Sequence, residues 1–177
     1  MMPMTLPVPI EFRLPENWLP AAPPDGVDVS GVAFAAVRPH PDADFTANIT
    51  VAGEVPPPAV TLRELADESA QRLREAAGAV VVAHRREVGS ADALALTQRL
   101  TFSGVVGHTL HDLVQSQVFL TFADVLDPHR RAVIRLTLTA TAAQYDEVLE
   151  DFQDFVRTVR PDTGAGTDTG PGAGTGA

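Results

Sequence analysis

Two stretches of this chain carry the three-to-four-residue apolar spacing of helices, and most of the remainder alternates. Residues 142–159 (AAQYDEVLEDFQDFVRTV) place Tyr145, Val148, Leu149, Phe152, Phe155, Val156 and Val159 on one helical stripe. Asp146, Glu147, Glu150, Asp151 and Asp154 fall on the other side. Thr141 and Gln144 have the spacing of a capping box, Arg157 and Arg160 suit the last turn, and Pro161 stops the helix. Burying seven such side chains contributes on the order of 10–20 kcal/mol gross, before entropy. Residues 61–77 (TLRELADESAQRLREAA) form the other helix, with Thr61 and Glu64 as its capping box and Gly78 as its C-cap. Its stripe of Leu62, Leu65, Ala66, Ser69, Ala70 and Leu73 is narrow and small, which predicts close packing on a sheet.

Strand periodicity appears first in residues 10–14, 27–37 and 45–52, where Phe45, Ala47, Ile49 and Val51 alternate with Thr46, Asn48 and Thr50. Pro56, Pro57 and Pro58 end that section as a stiff link into the first helix. Four further runs follow at 79–88, 93–102, 112–123 and 131–140. Residues 89–92 and 124–130 read as hairpin connections, and 103–110, with Gly104 and Gly107, as a looser one. Strands joined by short turns imply an α+β class: an antiparallel sheet of about six to seven strands packed by two helices. Residues 1–9 read as a lead-in, 10–160 as a single domain, and 161–177 as a disordered tail of Gly, Thr, Ala and Pro.

Read face by face, the later strands offer one obvious core surface. It carries Leu94, Leu96, Gln98, Leu100 and Phe102, then Val114, Ser116, Val118, Leu120 and Phe122, then Ala132, Ile134, Leu136, Leu138 and Ala140. Both helices are expected to cover it. The opposite face holds Arg99, Gln115, Gln117, Phe119, Val133 and Arg135 among threonines. Threonine is a good strand residue, so a merely solvated face is one reading. Apolar groups exposed among donors suit association with a partner or with a second copy, which is the other.

Composition removes several classes of chemistry. The net charge is −10 and the pI about 4.8, against a nucleic-acid partner or adsorption to anionic lipid. The chain has no Cys, and every one of its 13 basic residues is Arg. Thiol nucleophiles, thiolate metal sites, a Lys Schiff base and a P-loop Lys are therefore excluded. The start, broken by Pro3, Pro7 and Pro9, lacks a basic segment and does not read as a signal peptide. No apolar run reaches the roughly 18–20 residues of a membrane helix. The expectation is a cytoplasmic protein with no membrane insertion.

Candidate reactive groups are few. His108 and His111 are three apart, but at a strand entrance that spacing does not aim two rings at one point, and no HExxH accompanies them. Asp127, Pro128 and His129 read as a turn before an acid/base pair. The serines show no nucleophile context, and no GxGxxG or Walker sequence occurs. Trp18, with Phe12 and Leu14 upstream, reads as a plug at the sheet edge.

The order of these pieces is familiar. Residues 10–18 (IEFRLPENW), the segment FTANITV at 45–51, the helix TLRELADESAQRL and the closing RAVIRLTLTA with its two-phenylalanine helix resemble PsbP-like domains, most nearly the DcrB and LpqN-type families. The resemblance spans residues 10–160 and rests on structural motifs. It implies a compact α+β domain and a binding module, not an enzyme. Members include photosystem extrinsic subunits, a Ran-binding protein, envelope lipoproteins and chaperones that hold apolar segments of secreted effectors. This sequence lacks the lipidated Cys of the lipoprotein members, and no catalytic residue carries over.

The expected function is thus a non-catalytic protein-binding or chaperone-like module, associated with a secretion system, without metal or cofactor. Its expected surface is Arg99, Gln115, Gln117, Phe119, Val133 and Arg135. The alternatives are a small-ligand binder or enzyme with a pocket near His108, His111 and His129, and a structural homodimer.

Overall fold

The structure, a computed structural model, describes residues 6–22, 32–41, 45–90, 93–106, 108–123 and 130–162. In chain order the elements are β1 (Ile10–Glu11), β2 (Leu19–Pro20), β3 (Val32–Val37), β4 (Asn48–Glu54) and α1 (Leu62–Ala77). They continue with β5 (Val80–Ser90), β6 (Ala93–Val106), β7 (Thr109–Ala123), β8 (Arg131–Thr141), α2 (Tyr145–Thr158) and β9 (Arg160–Pro161). Seven strands form one sheet in the order β2-β3-β4-β8-β7-β6-β5, with every neighbouring pair antiparallel. β1 and β9 form a separate two-stranded ribbon. Part of the sequence expectation falls on residues 23–31, 91–92, 124–129 and 163–177, outside the described residues.

The first helix has the predicted capping box. Glu64 N–H donates to Thr61 Oγ1 at 3.1 Å, and Thr61 N–H donates to Glu64 Oε1 at 3.0 Å. The second box is only half made. Gln144 N–H reaches Thr141 Oγ1 at 3.2 Å, but the Gln144 amide donates instead to His40 O. The sheet holds Thr141, which pairs with Leu113, so α2 begins at Tyr145, three residues beyond the expected start at 142.

The strands also outrun their predicted ends. The presumed loose connection at 103–110 is mostly strand, with Gly104 opposite His111 and Val106 opposite Thr109. At the lead-in, Leu6 and Val8 pack against the core. The chain there passes so close to β4 that a Cβ on Gly53 would lie 2.6 Å from Pro7 Cδ.

The helices do not share a face of the sheet. On one face Leu62, Leu65 and Ala66 of α1 pack with Leu96, Phe119 and Val133, while Ala70 and Leu73 pack with Val80 and Leu100. On the other, Tyr145, Val148, Phe152 and Phe155 of α2 pack with Ile49, Val51, Val118, Ile134, Leu136 and Leu138, joined by Trp18. Trp18 Nε1 donates to Asp151 Oδ2 at 3.0 Å, tying the segment before β2 to α2.

This overturns the expected two-helix core face in two respects. The register of β6 against β7 sets even-numbered residues of β6 opposite odd-numbered residues of β7, such as Leu96 opposite Phe119. Leu94, Leu96, Gln98, Leu100 and Phe102 therefore belong with Gln115, Gln117 and Phe119, one residue out of step with the expected grouping. A helix about 10 Å wide also spans only about two strands at 4.8 Å spacing. Each helix therefore covers only part of a face, and here the two lie on opposite sides of the seven-stranded sheet.

Candidate functional site

Five of the six expected surface residues lie beneath α1. Gln115, Gln117, Phe119 and Val133 are buried, and Arg135 retains 9% exposure. Phe119 and Val133 fill the apolar contact with Leu62 and Leu65. The expectation of an uncovered face fails because its glutamines, which resemble solvated residues in the sequence, spend their donors within the sheet and on α1.

A chain of hydrogen bonds crosses the sheet there. Asp67 accepts from Arg85 at 2.7 Å, and Arg85 donates to Gln98 Oε1 at 3.0 and 2.8 Å. Gln98 Nε2 donates to Gln117 Oε1 at 2.7 Å and to Ala66 O at 3.1 Å. Gln117 Nε2 donates to Gln115 Oε1 at 2.6 Å and to Ser69 Oγ at 3.0 Å, and Gln115 Nε2 donates to Thr139 Oγ1 at 3.1 Å. Each amide accepts from one side and donates to the other, an arrangement in which the bonds polarise one another. The small Ala66 and Ser69 on α1 let the helix come close enough to join it. Beyond Thr139 lies a cavity of about 10 Å³, lined by Asn48, Thr50, Arg135 and Thr137 among others. Asn48 Oδ1 and Thr137 Oγ1 are buried without a protein partner. That volume admits about one water molecule and no substrate.

Of the three expected histidines, the two described ones sit in different environments. His108 is exposed at the β6–β7 turn with φ 72°. His111 is buried, its ring 6.3 Å from Phe45. His129, with Asp127 and Pro128, lies outside the described residues, whereas Arg131 donates to Val60 O at the foot of α1. No group of three or more potential metal ligands occurs among the described residues.

Arg99 is the sixth expected residue, and the register puts it on the α2 face. There α2 sits over β4, β8 and β7, and the sheet continues past it. The uncovered strip and the side of the helix make an open groove of about 490 Å³. Its floor is Ala95, Val118 and Leu120, and its helical wall is Leu149, Phe152 and Val156. Leu149 and Val156 belong to the seven-residue apolar stripe, but only Tyr145, Val148, Phe152 and Phe155 of that stripe are buried. The stripe is wider than the sheet area it covers. Arg99 and His84, directly opposite each other on β6 and β5, are exposed at the rim, with Arg157 on the helix side. Sequence reading missed this groove because it assigned β6 to the wrong face. The half-buried apolar pair on α2 was the available signal.

No family model matches the sequence, and no curated protein matches it. Solved structures do share its architecture. LpqN of Mycobacterium tuberculosis, described as involved in cell envelope biogenesis, superposes with a TM-score of 0.59 at 12% identity, over 88% of this chain and 86% of that one. Cyanobacterial PsbP from Synechocystis gives 0.56 at 15% identity, covering 86% of each chain. The Ran-binding protein Mog1p of Saccharomyces cerevisiae gives 0.54 at 14% identity, over 86% of this chain and 89% of its own. No helix among the described residues is long and apolar enough to cross a membrane. With a seven-stranded antiparallel sheet and a helix on each face, the chain has the PsbP-like α+β fold that its strand and helix order resembles.

Proposed function

We propose that this domain is a non-catalytic protein-binding module whose contact surface is the groove between α2 and strands β6 and β5. The observation that carries the reading is the open strip itself. A floor of Ala95, Val118 and Leu120 lies beside half-buried Leu149 and Val156, with exposed Arg99 at the edge. Apolar area rimmed by polar and cationic groups is the composition of an interaction surface. The Ran-binding description of one structural neighbour fits such a role at the level of fold. Of the six residues first expected at the surface, Arg99 stays in the proposed contact. Gln115, Gln117, Phe119, Val133 and Arg135 support it from behind the sheet. A chaperone-like hold on an apolar segment, serving a secretion system, is the finer form of this reading and follows from the family resemblance.

The test compares proteins recovered on the immobilised chain with those recovered on Leu149→Glu and Thr97→Glu, with Gln71→Glu on the exposed side of α1 as control. The same protein should be lost with both groove variants and kept with the control. Equal recovery by all four forms would refute the assignment.

A further inference from the structure

We infer that the segment received by this groove is acidic: a peptide whose carboxylates alternate with apolar side chains. The inference rests on the groove being the interaction surface and adds the chemistry of its occupant.

The lining is anomalous for this molecule. In a chain of net charge −10, the described residues that line the groove include Arg99, Arg157 and His84 and no Asp or Glu. Arg86 extends the same face, since it stands opposite Thr97 on β6. Arg86 and Arg99 are thus diagonal cross-strand neighbours, about 7–8 Å apart at the backbone. Like charges so placed disfavour one another, and carboxylates between them would relieve the repulsion.

Four of the nearby acids are committed elsewhere, and Asp146 and Glu150 on α2 do not line the groove. Glu87 points to the opposite face, 3.6 Å from Arg63, and Asp67 pairs with Arg85 on that face. On α2, Glu147 pairs with Arg38 at 2.6 Å and Asp151 holds Trp18. Asp154 alone answers a groove cation, Arg157, at 2.6 Å. Arg99 and Arg86 form no ion pair among the described residues.

The positions of the cations choose among occupants. Arg99 and Arg86 stand on the sheet side and Arg157 on the helix side. A fatty acid brings one carboxylate and would answer one of them. A second copy could offer the acidic side of its own α2, but that side has no apolar group to fill the floor. Among the described residues the exposed large apolar ones are Leu19, Val55, Val81, Val105 and Leu110, none of them on α2. A peptide with spaced carboxylates and intervening apolar side chains satisfies both the floor and the rim.

Fluorescence anisotropy on the full chain tests this with a labelled peptide of alternating Glu and Leu, and with its Lys-for-Glu counterpart, at low and high salt. The Glu peptide should bind, and binding should weaken at least tenfold in Arg99→Glu and again in Arg86→Glu. Raising the salt should weaken it, and the Lys peptide should bind at least tenfold more weakly. Circular dichroism identical to that of the parent shows that the variants are folded. Equal binding of the two peptides, indifference to Arg99→Glu, or complete displacement by equimolar oleate overturns the acidic-peptide assignment. Light scattering that shows the groove filled by a second copy overturns it too. If Leu149→Glu loses a partner protein but the Glu peptide does not bind, the interaction surface stands and only the acidic chemistry fails.

Discussion

Replacing Gln117 by methionine removes the middle of the amide chain while keeping its length and flexibility. Gln117 accepts one hydrogen bond, from Gln98 at 2.7 Å, and donates two, to Gln115 at 2.6 Å and Ser69 at 3.0 Å. The substitution strands Gln115 Oε1 and one N–H of Gln98, whose other contact, to Ala66 O, survives. Ser69 Oγ loses the donor it accepted from, but its own O–H stays able to bond the helix carbonyl one turn back. Two buried polar groups left without partners cost about 1–3 kcal/mol each, so the loss should be about 2–6 kcal/mol. Methionine adds no large cavity to that figure. Urea unfolding followed by Trp18 fluorescence should show a lower midpoint and an unchanged slope. In the double variant Gln115→Met with Gln117→Met, the stranded acceptor is itself gone. The double loss should therefore fall short of the sum of the single losses by about 1 kcal/mol or more. A single-variant loss below about 1 kcal/mol, or strict additivity, would refute the view that these amides act as one satisfied unit.

Two other substitutions probe local rules. Thr61→Ala removes both the Oγ acceptor for Glu64 N–H and half of the capping box, and should lower stability by about 1 kcal/mol in the same unfolding assay. Gly89 sits at φ 92°, and a Cβ there would lie 2.2 Å from Ala93 O. Gly89→Ala should therefore cost about 2 kcal/mol or more, and a change below about 0.5 kcal/mol would show that the β5–β6 hairpin relaxes freely.

The helices were legible because their signals are local. The cap at Thr61, the stripe from Leu62 to Leu73 and the stop at Pro161 each need only a few neighbouring residues. Most strands were legible for the same reason, and the antiparallel run from β5 to β8 follows from short connections, but the edge strand Leu19–Pro20 and the join of β4 to β8 do not. The face assignment was not local. Whether Leu96 or Ala95 shares a face with Phe119 depends on a one-residue shift in the register of β6 against β7, which the Gly104 region hides in the sequence. Between β7 and β8 the expected pairing of even with even holds, as in Val118 opposite Leu136. The polar layer was misjudged for a further reason. Gln98, Gln115 and Gln117 look like surface residues until the cross-strand register brings their amides within bonding distance. The groove exists only because the sheet is wider than α2, a relation between two elements that neither sequence contains.

The small ribbon of β1 and β9 has a mechanical meaning. Ile10 lies opposite Pro161, and Asp162 N–H donates to Pro9 O at 2.9 Å, so the domain's entry and exit strands run side by side. Behind them, Arg13 and Thr158 exchange bonds of 2.9 and 3.3 Å. Tension on both ends would load this seam in unzipping geometry, breaking its bonds one after another while the seven-stranded sheet remains unstressed. The same proximity lets the domain sit within a loop of a host protein, or be re-joined at its ends and opened elsewhere, with little distortion. The ribbon is a fuse in series with a much stronger body.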